Sequence, residues 1–278
     1  MAIIDLLASL VAVGVISARE TARRIECSSH LKQIGIAVHE YHATHSISPC
    51  SGVLGLRYLS SILDGRPGSW EIYGVPDPCM VGTCPQAGDW LRPHVYLCPS
   101  DPLVCRKRRA ASYAFSSGTA DISGQPGGVS DGVSFADSHG GASVSFQSLI
   151  DGSSHAACAS EQLIPNYRIA ASDAEYLAAL SPLSPASDPL RYRWTISTTF
   201  TLPSQFSSLF QACDATSSVT NHSAGNSFNV RSSAYNHVRT PNSRSSFNPS
   251  MTAVFLAALI SPPTSLHRSG VNLLLCDG

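Results

Sequence analysis

The first forty-five residues carry two consecutive hydrophobic patterns. From Ala2 to Ile16 every position is apolar except Asp5 and Ser9. From Arg19 onward the apolar positions recur at helical spacing, and polar residues lie between them: Ile25, Leu31, Ile34, Val38 and Tyr41. No proline interrupts either pattern. The two patterns together predict one continuous helix from about Ala2 to Tyr41, apolar in its first third and amphipathic in the remainder.

The apolar segment is short for a membrane span. As a helix, residues 2–16 reach about 22 Å, whereas a bilayer core needs about 30 Å. A cleaved secretory signal is disfavoured because no Lys or Arg precedes the run and Ile16 spoils the cleavage pattern. A membrane anchor, an assembly segment and a buried core helix all stay open. We therefore divide the chain into a spine helix at 1–45, with an anchor or assembly segment at 1–18, and a β-rich domain at 46–278.

Beyond Ser46 the pattern changes to short apolar runs broken by Gly, Pro, Asp and Ser, which is typical of strands and loops. The runs at 144–152 and 270–278 alternate and end in Asp-Gly, so both are predicted to be strands. Residues 172–180 are predicted to form a short helix and 217–250 a long loop. The predicted fold class is α+β.

The C-terminal run predicts a buried strand with two distinct faces. Val271, Leu273 and Leu275 share one face, while Asn272, Leu274 and Cys276 share the other. We expect Leu273 to point into the core. His267 and Asp277 would then mark the turns at the two ends of this strand, too far apart to form a catalytic pair.

Composition narrows the class of protein. Eighteen Lys and Arg residues balance nineteen Asp and Glu residues, which gives no broad basic surface for nucleic acid. Nine cysteines are many for a reducing cytosol and indicate an oxidising envelope compartment with some disulfides. Cys79, Cys84, Cys98 and Cys105 are spaced too widely for a typical zinc knuckle, so local disulfides or buried thiols are favoured.

Two short motifs resemble catalytic signatures without meeting their requirements. "HEYHATH" at 39–45 spaces its histidines three apart, so the imidazoles fan around the helix and do not converge on a metal. "GVSDG" at 128–132 fits a nucleophile elbow as a string, but neither a buried strand nor a helix flanks Ser130. The sequence thus predicts no catalytic residue, no metal site and no cofactor.

Five ordered segments resemble one protein family. They are "ARETARRIECSSHLKQIGIAVHEYHATH" in the long helix, "YLCPSDP" at 96–102, "LIDGSSHAACASEQ" at 149–162, "YNHVRTPNS" at 235–243 and "HRSGVNLLLCDG" at 267–278. Together they resemble the planctomycete DUF1559 group, whose members carry a prepilin-type helix and a closing H-X9-DG motif. The positions that match the family motifs are Cys27, Cys98, Asp101, Asp151, Gly152, Glu161, His267, Asp277 and Gly278.

This resemblance implies a type IV pilin-like fold, with a long N-terminal helix packed on an antiparallel sheet and with long loops. Asp5 stands where the family has a glutamate, and the resemblance makes it a candidate for pairing with the N-terminal amine of a neighbouring subunit. The helix macrodipole also favours an acid at this position without any partner. Both readings of Asp5 stay open.

The expected function is that of a non-enzymatic, pseudopilin-like envelope or filament subunit. Its expected partners are other pilin-like subunits, through the N-terminal helix, and a membrane. Its expected place is the cell envelope, anchored at the inner membrane with the globular domain outside the cytoplasm, or a surface filament. The alternative is a membrane-tethered module that binds an extracellular solute or glycan. That alternative requires an aromatic cleft, for which Trp70, Trp90 and Trp194 are the candidates.

Overall fold

A computed structural model provides the structure of the chain. It describes residues 2–49, 59, 63, 94–102, 111–118, 132–133, 144–164, 186–196, 206–217, 219–220, 234–247 and 259–278. The helix expected at 172–180, together with Trp70, Trp90 and Ser130, lies outside the described residues.

The N-terminal helix α1 is continuous over Ala2–His45, which confirms the predicted spine. It passes through Gly14 without a break, and it ends where Ser46 takes a left-handed φ of 59°. The Ser46 amide donates to the carbonyl of His42 at 2.7 Å, which satisfies one of the last helical acceptors. Pro49 follows three residues later, in keeping with a helix that stops here.

Within the described residues, eight short strands form two four-stranded sheets, and a further helix, α2, spans Phe206–Ala215. The first sheet has the order β5-β1-β2-β8 and the second has the order β4-β3-β6-β7. The strands are β1 Tyr113–Ser116, β2 Ala157–Glu161, β3 Arg193–Thr195, β4 Val219–Thr220, β5 Ala234–Tyr235, β6 Ser245–Phe247, β7 Leu259–Ile260 and β8 Leu273–Leu275.

Each sheet combines antiparallel and parallel pairs. Strand β2 pairs antiparallel with both β1 and β8, and β5 adds to β1 in parallel. In the second sheet β3–β4 and β6–β7 are antiparallel, whereas β3–β6 is parallel. The predicted α+β class is confirmed. The sheets are predominantly antiparallel, as expected, but each contains one parallel pair.

One face of α1 packs on the first sheet. The helix buries Cys27, Leu31, Ile34 and Val38, which recur three or four positions apart. Their partners in the same core come from β1, β2 and β8: Tyr113, Phe115, Cys158, Ala159 and Leu274. A second, smaller core joins α2 to the second sheet through Leu209, Cys213, Trp194, Ile196 and Ile260.

Helix α1 approaches β8 closely at Gly35. A Cβ placed on Gly35 would lie 3.1 Å from Cδ1 of Leu274, which is tighter than ordinary van der Waals contact. The absence of a side chain at this position therefore lets Leu274 lie against the helix backbone. A side chain at this position would require Leu274 or the helix to shift by a few tenths of an ångström.

The Cys27–Cys98 disulfide joins α1 to the segment at 94–102, across 71 residues of sequence. This bond confirms the expectation of a disulfide, but it takes Cys98 away from the local pairing considered for 79–105. Among the described residues Cys158, Cys213 and Cys276 are buried free thiols.

Two local predictions are wrong. The run at 144–152 is not a strand: Ser145 accepts a hydrogen bond from the Gln147 amide and begins a single 3-10 turn at Phe146–Ser148. Serine at this position competes with extended pairing because its side chain caps the backbone locally. The predicted loop at 217–250 contains strands β4, β5 and β6. Strands this short leave almost no periodicity in the sequence.

The expected orientation of the last strand is also wrong. Leu273 is 48% exposed, whereas Leu274 is 3% exposed and Cys276 is buried. Strand β8 therefore turns the face of Leu274 and Cys276 toward α1. Because Leu274 made both faces apolar, the alternation alone did not decide which face is buried.

Within the described part of the chain, no helix combines the length and the apolar content that crossing a membrane requires. The expectation of a transmembrane segment at 1–18 is not supported.

We predict that Leu274→Ala destabilises the protein by about 2–5 kcal/mol, because it leaves a cavity between β8 and Gly35 of α1. The matched variant Leu273→Ala, on the same strand and half exposed, should cost less than about 1 kcal/mol. Urea unfolding monitored by circular dichroism measures both. Equal losses, or a larger loss for Leu273→Ala, would contradict the observed orientation of β8.

Candidate functional site

Four of the motif residues meet where α1 crosses the first sheet. Cys27 lies on α1, Cys98 follows a 3-10 turn at His94–Tyr96, Glu161 ends β2, and His267 precedes β8. One side-chain atom from each, a sulfur, a carboxylate oxygen or a ring nitrogen, lies within 4.8 Å of those from the others. All four residues are buried.

Glu161 is fixed by Asn272, just before β8. The Asn272 backbone amide donates to Oε2 of Glu161 at 3.0 Å, and its side-chain amide donates to Oε1 at 2.7 Å. In return the Glu161 amide donates to the Asn272 carbonyl at 3.2 Å. This exchange holds the carboxylate at the end of β2 and points it toward His267.

His267 lies between two carboxylates from different elements. Its Nδ1 is 2.8 Å from Oε1 of Glu20 on α1, and its Nε2 is 3.3 Å from Oε1 of Glu161 on β2. Nε2 is also 3.8 Å from Sγ of Cys98. When the ring is protonated, both of its N–H groups donate to carboxylates, and the imidazolium ties the helix to the sheet.

The surroundings shift both pKa values in the directions that favour this ion pair. The hydrogen bond to Glu161 outweighs burial and, with the hydrogen bond to Glu20, raises the pKa of His267 above 6.5. Burial by itself raises the pKa of Glu161, but the hydrogen bonds from His267 and from Asn272 outweigh it. The net pKa of Glu161 lies below 4.5. At mildly acidic pH both partners are therefore charged.

A second buried ion pair lies on the segment that carries Cys98. Oδ2 of Asp101 accepts from Nη1 of Arg191 at 3.1 Å and from the Ile164 amide at 2.9 Å, and Oδ1 forms an ion-pair contact with Nη2 of the same guanidinium at 2.9 Å. Nε of Arg191 contacts Asp188 at 2.7 Å. The arginine side chain is fully buried, so these partners compensate for the loss of its hydration. This pair holds the segment at 94–102 at a second point, three residues after the disulfide-bonded Cys98.

This arrangement is suited to holding α1 in place. The two sulfurs are bonded to each other, and both imidazole nitrogens face carboxylates, so the described contacts leave none of these groups positioned as a nucleophile. His267 does open a turn before β8, because its carbonyl accepts from the Gly270 amide at 3.3 Å, but its buried side chain also carries the ion pair, which the sequence did not indicate.

The other motif residues form turns away from this cluster. Asp151 is exposed, and Gly152 takes a φ of 83° in the turn before β2. Asp277 is exposed, and Gly278 has a φ of 108° while its amide donates to the Leu275 carbonyl at 3.2 Å. Glycine at the two positive-φ sites avoids the steric cost of a side chain. Asp5 is exposed in the first turn of α1.

The three histidines of the 39–45 motif lie against aromatic rings. His42 stacks on Phe146 with ring centroids 4.3 Å apart, and His39 meets the same ring at 5.2 Å. His45 stacks on Tyr41 at 4.3 Å. The prediction that they share no metal stays a prediction.

Sequence reasoning missed four residues that the structure places in two groups. Glu20 completes the His267 ion pair, and no local pattern indicated it. Glu26, His30 and His94 form a second group in which one potential ligand atom from each lies within 4.8 Å of the others. Glu26 and His30 are four apart on α1, the spacing that the 39–45 motif lacks, so the sequence spacing could have indicated two of the three residues in this group.

Trp194 does not offer a free surface for a ligand. It is 6% exposed, its indole N–H donates to the Pro189 carbonyl at 3.3 Å, and the Arg244 guanidinium lies 4.0 Å from the ring centroid. The described residues therefore add nothing in favour of the solute- or glycan-binding alternative.

A family model described as "Protein of unknown function (DUF1559)" matches residues 16–278. No curated protein and no solved structure matches the chain significantly.

The His267 ion pair predicts a stability maximum in mildly acidic solution. A raised histidine pKa contributes stability that is complete below about pH 6.5 and is lost as pH rises through the folded-state pKa. A lowered glutamate pKa contributes stability that is present above about pH 4.5 and is lost as pH falls. The contribution of this ion pair to the urea midpoint, measured as the difference between the parent chain and His267→Gln, should therefore fall on both sides of that window.

His267→Gln should remove the decline on the alkaline side, because glutamine does not titrate. His155→Gln is the matched control, since His155 is exposed and contacts Ser154. If both variants keep the alkaline decline of the parent protein, His267 is not its source.

Proposed function

Since the chain belongs to the DUF1559 family, we propose that it is a non-enzymatic, pseudopilin-like subunit. It assembles with further copies of itself through the exposed start of α1 and displays its β-rich domain outside the cytoplasm. Its place is the cell envelope, at the inner membrane or in a surface filament. The single observation that carries the proposal is the apolar surface exposed on the first eighteen residues of α1.

These residues, 2–19, are called the arm from here on. The arm exposes a set of large aliphatic side chains, with exposed fractions between 43% and 75%: Ile3, Ile4, Val11, Val13, Val15 and Ile16. At Gly14 an added Cβ would meet nothing within 4 Å. Directly after the arm, Glu20 contacts His267 and Arg24 donates to Ser269. The arm thus extends about 27 Å at 1.5 Å per residue.

An apolar helix without tertiary contacts is marginal in water. Helices of this length owe most of their stability to packing of a buried face. Burying one valine or isoleucine side chain stabilises by about 1.5–3 kcal/mol. Covering several such side chains of the arm would therefore provide enough free energy for stable association, and exposed apolar patches of this kind mark interaction sites.

The charges on the arm favour a second copy as the partner. The arm carries one acid, Asp5, near its start and one base, Arg19, at its end. Each copy therefore offers a carboxylate and a guanidinium to its neighbours. An exposed carboxylate among apolar residues is tolerated in an interface when a cation from the partner meets it. Identical arms supply that cation without any other protein.

The attachment of α1 to the domain gives the arm a defined direction. Glu20 meets His267, Arg24 donates to Ser269, and Cys27 is covalently bonded to Cys98, all within the two turns that follow the arm. A helix held this closely at its base acts as a rigid extension of the domain. Packing of arms would then fix the spacing of the displayed domains, which is the mechanism expected of a pilin-like subunit.

We predict that Val11→Asp and Ile16→Asp, each placing a charge in the apolar surface of the arm, prevent assembly. The loss of one buried side chain corresponds to at least a tenfold rise in the protein concentration needed for association. Sedimentation velocity across a concentration series, with electron microscopy of the sedimenting fraction, measures this.

Two controls separate assembly from general stickiness. Ile36→Asp changes a residue that is 61% exposed on the domain half of α1, and Ile150→Asp changes a fully exposed loop residue. Both should assemble like the parent chain. Equal behaviour of arm variants and controls, or a parent chain that stays monomeric at every concentration, would overturn the proposal.

A separate prediction concerns Asp5. If it pairs with a neighbouring copy, Asp5→Asn should weaken assembly several-fold, and the difference from the parent should shrink in high salt. If the macrodipole alone explains the acid, the substitution lowers helix content slightly and leaves the association constant unchanged. Comparing both readouts at two ionic strengths distinguishes these outcomes.

A further inference from the structure

Glu26, His30 and His94 converge beside the disulfide. Glu26 and His30 lie four apart on one face of α1, and His94 begins the 3-10 turn that faces the helix. The two imidazole rings meet edge to face with centroids 5.2 Å apart. One potential ligand atom from each residue lies within 4.8 Å of the other two. Ligand atoms around tetrahedral zinc lie about 3.3 Å apart, from bonds near 2.0 Å, so small side-chain rotations close the site.

The hydrogen bond of His30 defines which nitrogen is available. Nδ1 lies 3.0 Å from the carbonyl oxygen of Leu97. A carbonyl only accepts, so Nδ1 carries the proton and the lone pair belongs to Nε2. Metal-binding histidines usually make this contact, with one ring nitrogen on the metal and the other donating to a carbonyl or carboxylate. His30 is 6% exposed, so its ring is held by packing as well as by this bond.

The backbone that presents the three residues is held together covalently. Cys27 follows Glu26 directly, Cys98 lies four residues after His94, and the two cysteines form the disulfide. The Leu97 amide donates to the His94 carbonyl at 2.9 Å, and the Ser112 amide donates to the Tyr96 carbonyl at 2.8 Å. The distance between the helix and the turn is therefore set before any ion arrives, which reduces the entropy lost on binding.

From this geometry we propose that Glu26, His30 and His94 bind one divalent transition-metal ion, with Zn²⁺ as the ion tested. Two imidazoles and one carboxylate are a donor set that zinc accepts, and three protein ligands leave a coordination position open. Glu26 and His94 are exposed, so the ion reaches the site from solvent and water occupies the open position. Bound metal would add a further link between α1 and the segment at 94–102, beside the disulfide and the hydrogen bond of His30 to Leu97.

The neighbouring group of Cys27, Cys98, Glu161 and His267 is a poorer metal site in the structure as it stands. Its two sulfurs are joined in the disulfide, and metal ligation needs free thiolates. Its imidazole nitrogens already face Glu20 and Glu161. Metal binding at the two groups can be distinguished. An ion at Glu26, His30 and His94 would have only nitrogen and oxygen ligands, whereas an ion at the neighbouring group would have sulfur ligands.

The test uses the full oxidised chain after treatment with a chelator and desalting. Calorimetric titration with ZnCl₂ should show one equivalent of binding, and X-ray absorption should show a first shell of nitrogen and oxygen without sulfur. His94→Ala and Glu26→Gln change exposed side chains and should each weaken binding at least tenfold, while the urea midpoint without metal stays unchanged. In the parent chain, added Zn²⁺ should raise that midpoint.

His155→Ala and Glu40→Gln serve as matched controls, because both residues are exposed and lie outside the group. They should bind zinc like the parent. The proposal is overturned by a parent chain that binds no stoichiometric zinc, by sulfur in the first shell, or by binding that His94→Ala leaves intact. It is also overturned if His42→Ala abolishes binding, which would place the ion at the 39–45 motif.

Discussion

The structure depends on the attachment of the second half of α1 to the first sheet. A 44-residue helix is buried along one face from Cys27 onward, while its first eighteen residues extend into solvent. A force on the exposed part of the helix produces a torque at the place where α1 is attached to the sheet. Apolar packing resists sliding only weakly, because it is non-directional. The disulfide to Cys98 and the contact of Glu20 with His267 lie where the exposed part of the helix ends. At this place a covalent bond and a directional ion pair resist movement of the helix most effectively.

His267 explains why segments far apart in sequence belong to one site. Its imidazolium connects Glu20 on α1 with Glu161 on β2, and its own turn leads into β8. A buried cation is costly unless its partners are in place, so the three elements must assemble together. The Asp101–Arg191 pair applies the same constraint to the segment that carries Cys98. Two buried ion pairs and one disulfide thus determine the relative positions of the helix, the turn and the sheet.

The sequence predicted what local periodicity determines and missed what tertiary contacts determine. Helix α1 was predicted almost to its last turn, because a helical pattern that continues over forty residues without proline is not easily mistaken for a strand or a loop. The turn at Phe146–Ser148 was missed because one serine cap outweighed an alternating pattern. The family resemblance identified Cys27, Cys98, Glu161 and His267 individually, but their meeting depends on four separate elements. Glu26 and His30 had helical spacing from the start, whereas His94 joins them only through the fold.

The distribution of apolar surface along α1 identifies the arm as the part of the helix whose role the fold itself does not explain. The side chains that α1 contributes to the core begin at Cys27, so the arm is not needed to complete that core. A water-exposed helix bearing isoleucine and valine is unfavourable for an isolated chain and promotes non-specific association. The disulfide and the ion pair that hold α1 on the sheet also fix the direction in which the arm extends. The combination of a rigid base and an apolar tip is what an assembling subunit requires, because both the strength and the geometry of the contact are then specified.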